Sequence, residues 1–309
     1  MARRELGPAA LAVSQAVAAL LPESAVVVGC SGGADSLALT LGAAWAAQRA
    51  GTVMQAVVID HGLQDGSAGV AQGVVGQLAE RGIDATIHPV TVPANHPDGL
   101  EAAAREARLA ALASYGLPVL LGHTLDDQAE TVLLGLLRGS GTRSLAGMAT
   151  RRGPFLRPLL GLRRAQTEAA CREWGINPWQ DPHNENEQFA RVKVRSLLPE
   201  LAARLDRDIA VALARTADLA RADADLLDEL ASKTNLASGP LPVADLQAQP
   251  DALRWRLLQG WLRANGVDVA MSHVVAVDQL VGAWRGQGPV AVPGGSVQRQ
   301  QGELVFLPR

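Results

Sequence analysis

Between residues 25 and 139 short apolar runs alternate with longer, helix-patterned ones, and this alternation limits the possible folds more than any other feature. Residues 25–29 read as a buried strand and 36–50 as a helix. "VMQAVVID" (53–60) is a second strand, and Ser67 caps a helix ending near Arg81-Gly82. "ATIHPVTV" (85–92) is a third strand, and "GLEAAAREARLAALASYG" (99–116) a helix with a glycine stop. "PVLLGH" (118–123) is a fourth strand, followed by the helix "DDQAETVLLGLLRG" (126–139). Strands alternating with helices of this length predict an α/β fold, a doubly wound parallel sheet covered on both faces. Ligands of such sheets sit beyond the carboxyl ends of the strands. The chemically active residues collect there: Ser31 to Ser36, Asp60-His61-Gly62, and His123 to Asp127.

A chain of 309 residues is long for one domain and suggests two. From about 200 to 234 it reads as long helix, "TNLASGPLP" (234–242) as a linker, and 250–264 and 271–285 as helices. The tail "GPVAVPGGSVQRQQGELVFLP" alternates and turns like short antiparallel strands, so the end of the chain reads as a small α+β domain. The expected boundaries are 1–200, a helical linker 201–238, and 239–309. Aromatic residues make up only 3%, so Ala, Leu and Val must supply most of the core; Trp174, Trp179, Trp255, Trp261 and Trp284 read as core. The start, "MARRELGPAALAVSQAVAALLPES", is basic and then apolar, but Ser14 and Gln15 interrupt it and a core strand follows at about Ala25. It reads as an amphipathic helix, not a secretory signal. No stretch has the ~18 uninterrupted apolar residues a membrane span needs. Cys30 and Cys171 are the only cysteines, and two isolated thiols make no disulfide framework and no zinc spacing, which fits a reducing cytoplasm.

"VVVGCSGGADSLALT" (26–40) sends an apolar strand through Cys30-Ser31-Gly32-Gly33-Ala34-Asp35-Ser36 directly into a helix. The first turn of a helix has unpartnered N–H groups and a partial positive charge. Glycines ahead of it allow close backbone approach, and Ser31 and Ser36 add hydroxyls, which together make a phosphate cradle. There is no Gly-Lys-Ser/Thr and no Gly-x-Gly-x-x-Gly. Asp35 is the informative residue: a carboxylate beside a phosphate is repulsive unless a cation bridges them, so Asp35 implies Mg²⁺. An Asp near a helix N-terminus is also favourable by itself.

In "GHTLDDQAET", Asp126, Asp127 and Glu130 open one helix at spacings of three and four, which share a face. They suit capping, Mg²⁺ or an ammonium group. His123 could pair with one of them, act on a base, or be structural. The stretch 131–167 contains Arg138, Arg143, Arg151, Arg152, Arg157, Arg163 and Arg164 and no Asp or Glu. In a chain of net charge −3 and pI near 6.1, an acid-free run is the footprint expected for a phosphate backbone, and Arg191, Lys193 and Arg195 extend it. The alternative is a solvated face with helix ends. Arg105 and Arg108 share a helix face with Glu101 and could be salt-bridged to it.

SGGADS resembles the SGGxDS signature of the PP-loop ATP pyrophosphatases, which cleave ATP to AMP and pyrophosphate and adenylate a substrate oxygen. Within that superfamily the chain is similar to the tRNA(Ile)-lysidine synthetases. The segments that carry this are "IDHGLQDGSAGVAQ", "GLEAAAREARLAAL", "GHTLDDQAETVLLGLLRGSGTRSLAGM", "RPLLGLRRAQTEAAC" and "WQDPHNENEQFARVKVRSLLPEL". The likeness is strong over about 24–202 and weak over 240–308. It departs at Gln64, usually Arg in the family, at Leu109, often Tyr, and at Arg191 to Arg195, which lacks the usual Asn.

The resemblance implies a ligase that uses ATP to adenylate the first-anticodon-position cytidine of an isoleucine tRNA with a CAU anticodon. Lysine, the co-substrate, then displaces AMP, and codon reading changes from AUG to AUA. It implies ATP contacts at Ser31, Gly32, Gly33, Ala34, Asp35, Ser36, His61 and Arg105, with Asp35 on Mg²⁺. Catalysis falls to Asp35, His123, Asp126, Asp127 and Glu130, and lysine binding to Asp127 and Glu130. It implies tRNA contacts at Arg108, Arg138, Arg143, Arg151, Arg152, Arg163, Arg164, Arg191, Lys193 and Arg195. The first domain is then catalytic and the last binds tRNA; no obligatory protein partner and no membrane are implied. A tRNA thiolase with the same loop would need a persulfide cysteine or a Cys pair, and there is no Cys-x-x-Cys. A nucleotide-binding module without turnover would need neither the acid cluster nor the basic run.

Overall fold

The computed structural model describes residues 6–63, 66–93, 95–96, 99–139, 141–180, 190–234 and 239–309. Gln64, the "DPHNENEQ" stretch (181–188) and the middle of the expected 234–242 linker lie outside the described residues. The chain forms two compact units, one of the chain up to Leu134 with Met148–Ala214, the other of Gly135–Gly147 with Arg215–Arg309.

The first unit is built on β1 (Val26–Gly29), β2 (Met54–Asp60), β3 (Ala85–Pro89) and β4 (Val119–Leu120), all parallel, in the order β3-β2-β1-β4. The connecting helices are α2 (Ala34–Ala50), α3 (Ser67–Ala79) and α4 (Leu100–Ala113), with α1 (Pro8–Ala18) ahead of β1 and α5 (Leu125–Leu137) after β4. Strand side chains alternate between faces. Val26, Val28, Ala56 and Val58 therefore join the core under α1, α2 and α3, while Val27 and Val57 pack with Leu112 of α4 on the other face. Small residues make this core, as the scarcity of aromatics requires: Ala10, Val13, Ala38, Ala43 and Ala46 are all buried.

Several boundaries differ from expectation. β3 ends at Pro89 and β4 keeps only two ladder residues. A hairpin, β5 (Arg151–Arg152) and β6 (Phe155–Leu156), extends the sheet beyond β4; β6 is parallel to β4 and β5 antiparallel. Two-residue strands leave too short a pattern for periodicity to register. α3 has Gly66, φ 84°, at its N-cap, and Ser67 is its first residue. The short α6 (Thr142–Leu145) and the longer α7 (Arg164–Trp174) follow in chain order. The expected long helix is two: α8 (Ala190–Leu205) and α9 (Ile209–Ser232). Asp206 between them sits at φ 48°, and the Asp208 carboxylate accepts the Val211 N–H at 3.1 Å, which is capping chemistry.

In the second unit α10 (Val243–Gln247), α11 (Asp251–Ala264) and α12 (Met271–Gly282) share a core with an antiparallel sheet. Its strands are β7 (Leu241–Pro242), β8 (Val290–Val292), β9 (Gly295–Gln300) and β10 (Glu303–Pro308), ordered β7-β10-β9-β8. Trp261 is fully buried there and donates its indole N–H to the Gly239 carbonyl at 2.7 Å. Among the described residues no helix is long and apolar enough to cross a membrane.

Candidate active site

β2 and β3 lie on one side of β1 and β4 on the other, so the strand order reverses between β1 and β4. In a doubly wound sheet this reversal opens a crevice at the strands' carboxyl ends. Two glycine-bearing turns meet there. After β1, Gly32 takes φ +84°, and a Cβ on it would stand 2.4 Å from Val74 Cγ2, so the position admits only glycine. Gly33 is the N-cap of α2 and offers no side chain to its amides, which leaves them open to an anion. Ser36 is turned inward: its hydroxyl accepts the Ser31 N–H at 3.1 Å and donates to the Gly33 carbonyl at 2.9 Å, shaping the turn. Ser31 is exposed.

After β4, a Cβ on Gly122 would lie 3.0 Å from the Asp35 carbonyl oxygen and 3.2 Å from Ser36 Cα. These neighbours are backbone and cannot rotate away. Gly122→Ala is therefore expected to push the end of β4 off the first turn of α2, costing roughly 1–3 kcal/mol and weakening ATP binding. Thermal melts with and without ATP check this, and an unchanged ATP-induced shift would show that the contact is slack.

The turns open onto a cavity of about 950 Å³. On one side Arg164, from the start of α7, joins three carboxylates: Asp127 at 2.8 Å, Asp35 at 3.4 Å and Glu130 at 3.5 Å. Asp35 also accepts a short hydrogen bond from the Thr167 hydroxyl. Burial nevertheless outweighs these partners and raises the Asp35 carboxyl to about 6. Asp127 caps α5, one oxygen accepting both the Thr124 N–H at 2.8 Å and the Thr124 hydroxyl at 2.9 Å. Burial pushes its carboxyl up, but the Arg164 guanidinium and the Thr124 amide prevail and hold it below the usual range. The same three carboxylates raise Arg164 against its burial.

Arg105 and Arg108 of α4, Arg191 of α8 and His123 line the same cavity. Burial, then repulsion from Arg105 and Arg191, lowers the Arg108 guanidinium to about 10. Burial keeps His123 neutral, against the pull of Asp127.

The structure thus brings Ser31 to Ser36, His61, Arg105, Arg108, His123, Asp127, Arg164, Arg191 and Arg195 to one cavity. Glu130 lies behind its wall, 1% exposed, with Arg195 at 2.8 Å and Arg191 at 3.7 Å. Asp126 accepts the Arg164 backbone N–H at 2.7 Å, capping α7, and pairs with Arg163 at 3.2 Å. The acid-free run finds its acids elsewhere in the fold: Arg163 also pairs with Asp208, and Arg143 with Asp225 and Asp228. Arg157 is buried and donates to the Ala149 carbonyl at 2.9 Å. Arg138, Arg151, Arg152 and Lys193 are exposed and line no part of the cavity. Thr167, Gly122 and Trp179 were not singled out as site residues from the sequence, yet they build the site. Thr167 carried a signal, three residues after Arg164 on the same helical face. Trp179 had none; it lines the cavity and its backbone N–H donates to the Gly32 carbonyl at 2.9 Å.

Comparison with known proteins agrees with this geometry. Residues 9–201 match the PP-loop domain family, and residues 241–305 match the TilS substrate binding domain. The tRNA(Ile)-lysidine synthase of Cutibacterium acnes is 47% identical, with all of both chains covered. That of Leifsonia xyli is 48% identical over 94% of this chain and 91% of its own, and that of Mycobacterium tuberculosis 49% over 89% and 85%. Among solved structures, the U34-tRNA thiolase NcsA from Methanococcus maripaludis with its [4Fe-4S] cluster superposes with a TM-score of 0.55 at 16% identity. It covers 68% of this chain and 77% of that one, a likeness of fold. With the glycine turn, the carboxylate-lined cavity, both domains matched and these relatives 47–49% identical over 85% or more of either chain, this chain belongs to the tRNA(Ile)-lysidine synthase family.

Proposed function

We propose that the protein ligates L-lysine to the 2-position of the first-anticodon-position cytidine of an isoleucine tRNA with a CAU anticodon. ATP adenylates the 2-carbonyl oxygen with release of pyrophosphate, and the lysine ε-amine then displaces AMP. The observation that carries this is one cavity in which an uncapped helix N-terminus, an ammonium-accepting carboxylate and a cluster of arginines all face the same space.

The turn Ser31–Ser36 would cradle the phosphates. Among the described residues no group of three or more His, Cys, Asp or Glu stands together as a metal site. Mg²⁺ commonly uses one or two carboxylates plus substrate phosphates, and Asp35 at the head of α2 fits that donor set. The ion supplies charge neutralisation on the phosphates. Asp127, whose outer oxygen faces the cavity side at Arg164, is the group suited to a substrate ammonium. The target cytidine must leave its stack to enter such a cavity. We assign catalysis to residues 1–200 and tRNA selection to 239–309, with 201–238 between them. The free, buried Cys30 and Cys171 fit a cytoplasmic setting. Burial pushes the Cys171 thiol up to about 12, so neither it nor the similarly raised Cys30 offers the thiolate a thiolase would use.

The test is tRNA-dependent pyrophosphate release, screened against each amino acid and against sulfide donors. Release that needs lysine for AMP discharge supports the reading; release coupled to sulfide, or none, defeats it. Of the proposed tRNA contacts, Arg151 and Arg152 on β5 are exposed and carry no ion pair among the described residues. Replacing both with Ala is expected to lower the salt slope of tRNA binding by about two, leaving ATP affinity unchanged. An unaltered slope would place the RNA backbone elsewhere.

A further inference from the structure

Of the three tryptophans in the second unit, the core accounts for two. Trp261 is sealed with its N–H on the Gly239 carbonyl, and Trp255 packs against the same core and donates its N–H to Asp278 at 3.1 Å. Trp284, expected in the core, stands instead just past the end of α12 and is 37% exposed. Its indole N–H has no partner among the described residues. The ring is nevertheless held in place. The Arg299 guanidinium of β9 lies over it, 5.5 Å from its centroid, and donates to the Leu280 carbonyl at 3.0 Å. One exposed apolar side chain needs no explanation by itself, so its surroundings decide.

Those surroundings are basic and lack carboxylates. Residues 279–302 contain Arg285 and Arg299 and no Asp or Glu. For the run 131–167 the fold supplies the missing acids; here it does not. Arg285 is exposed and forms no ion pair among the described residues, and Arg299 is turned to a backbone carbonyl and the ring. Asp278, the carboxylate just before this stretch, is buried and committed to Arg254 at 2.6 Å and to Trp255. A flat ring held by one guanidinium and followed by a second, with no negative charge in the stretch, matches an unpaired nucleotide. The base offers a π face to the indole, and its phosphate offers charge to the free arginine. A paired stem keeps its base faces inside the stack, so the ring fits single-stranded RNA. We propose that Trp284 stacks on an unpaired base of the tRNA and that Arg285 takes a phosphate beside it. The proposal rests on the function proposed above.

The test measures tRNA Kd against salt concentration for the full-length wild type, Trp284→Leu, Trp284→Phe and Arg285→Gln. Trp284→Leu should bind about ten- to hundredfold more weakly with an unchanged salt slope, because stacking releases no counterions. Trp284→Phe keeps a π face and should recover most of that loss. Arg285→Gln should lower the slope by about one. In turnover the loss should fall on the tRNA KM, with lysine KM and ATP Kd unmoved. An isolated anticodon stem-loop distinguishes the source of the base. An equal loss with it places the base in the anticodon loop; a loss confined to intact tRNA places it in another loop or at the 3′ end. Wild-type affinity in Trp284→Leu, or a Phe variant as weak as the Leu variant, would overturn the stack. So would a loss that tracks a lower melting temperature, which marks a structural residue. An unchanged slope in Arg285→Gln would overturn the phosphate contact, and if Trp284→Leu does not fold this variant decides alone. A wild type that binds tRNA but discharges no AMP with lysine would defeat the function proposed above and leave this contact standing.

Discussion

Asp35→Asn is expected to stop turnover and, measured without nucleotide or Mg²⁺, to raise the melting temperature. The two effects have one origin. Asp35 lies at the head of α2, against the cavity, with its side chain 22% exposed. Burial dominates and raises its carboxyl from 3.8 to about 6, even with the Thr167 hydroxyl and Arg164 beside it. A carboxyl raised in the folded state binds its proton more tightly there than in the unfolded chain. Stability is therefore fullest below about pH 4, falls as pH rises toward about 6, and stays reduced above. The neutral amide removes that penalty, a gain of roughly 2–3 kcal/mol at pH 7 and none at pH 4. Turnover should fall about a hundred- to thousandfold, as expected when a preorganised charge at a transferring phosphate is lost. Pyrophosphate release and melts at pH 4 and pH 7 check both parts. Near-normal release from a folded variant would remove Asp35 from the chemistry. An unchanged melt at pH 7 would mean the carboxylate is not strained.

Glu130→Gln should act in the opposite way on stability. Glu130 is 1% exposed, and its two oxygens serve Arg195 at 2.8 Å, Arg164 at 3.5 Å and Arg191 at 3.7 Å. Removing one partner of a buried ion network leaves the others uncompensated and costs about 3–5 kcal/mol, roughly 10 °C in a unit of this size. The lysine KM should rise as well, because Arg191 and Arg195 lose the group that orients them. Asp127→Asn, in contrast, should raise the lysine KM about ten- to hundredfold with a smaller change in melting. A Glu130→Gln protein that melts like wild type yet shows a raised lysine KM would make Glu130 a direct ligand of lysine.

These two residues show how far local pattern reaches. Asp35, Asp127 and Glu130 were all legible as carboxylates near strand ends. Their spacing alone could not separate the one facing the cavity from the one sealed behind it. That difference is set by α7 and α8, which arrive from 37 to 65 residues further along the chain with Arg164 and Arg195. The basic run shows the same limit. Arg143 and Arg163 have no acid within the run, and their partners Asp225, Asp228, Asp208 and Asp126 come from outside it, as do Asp35, Asp127 and Glu130 around Arg164.

What the amino-acid order determined by itself is local and periodic. The alternation of apolar strands and helices set the parallel sheet, because a two-residue period and a 3.6-residue period can each be satisfied only by burying one face or stripe. The Gly32-Gly33 turn set the open N-terminus of α2, because its backbone demands are met by near neighbours in sequence. Only the tertiary structure decided which charges are neutralised, which are strained and which are left seeking a ligand. Those properties depend on burial and on distances between helices that share no local pattern. Arg108 is the clearest case: on α4 a salt bridge with Glu101 and a tRNA contact were both open to it, and in the fold its Nε is sealed, with no hydrogen-bond partner among the described residues, beside Arg105 and Arg191.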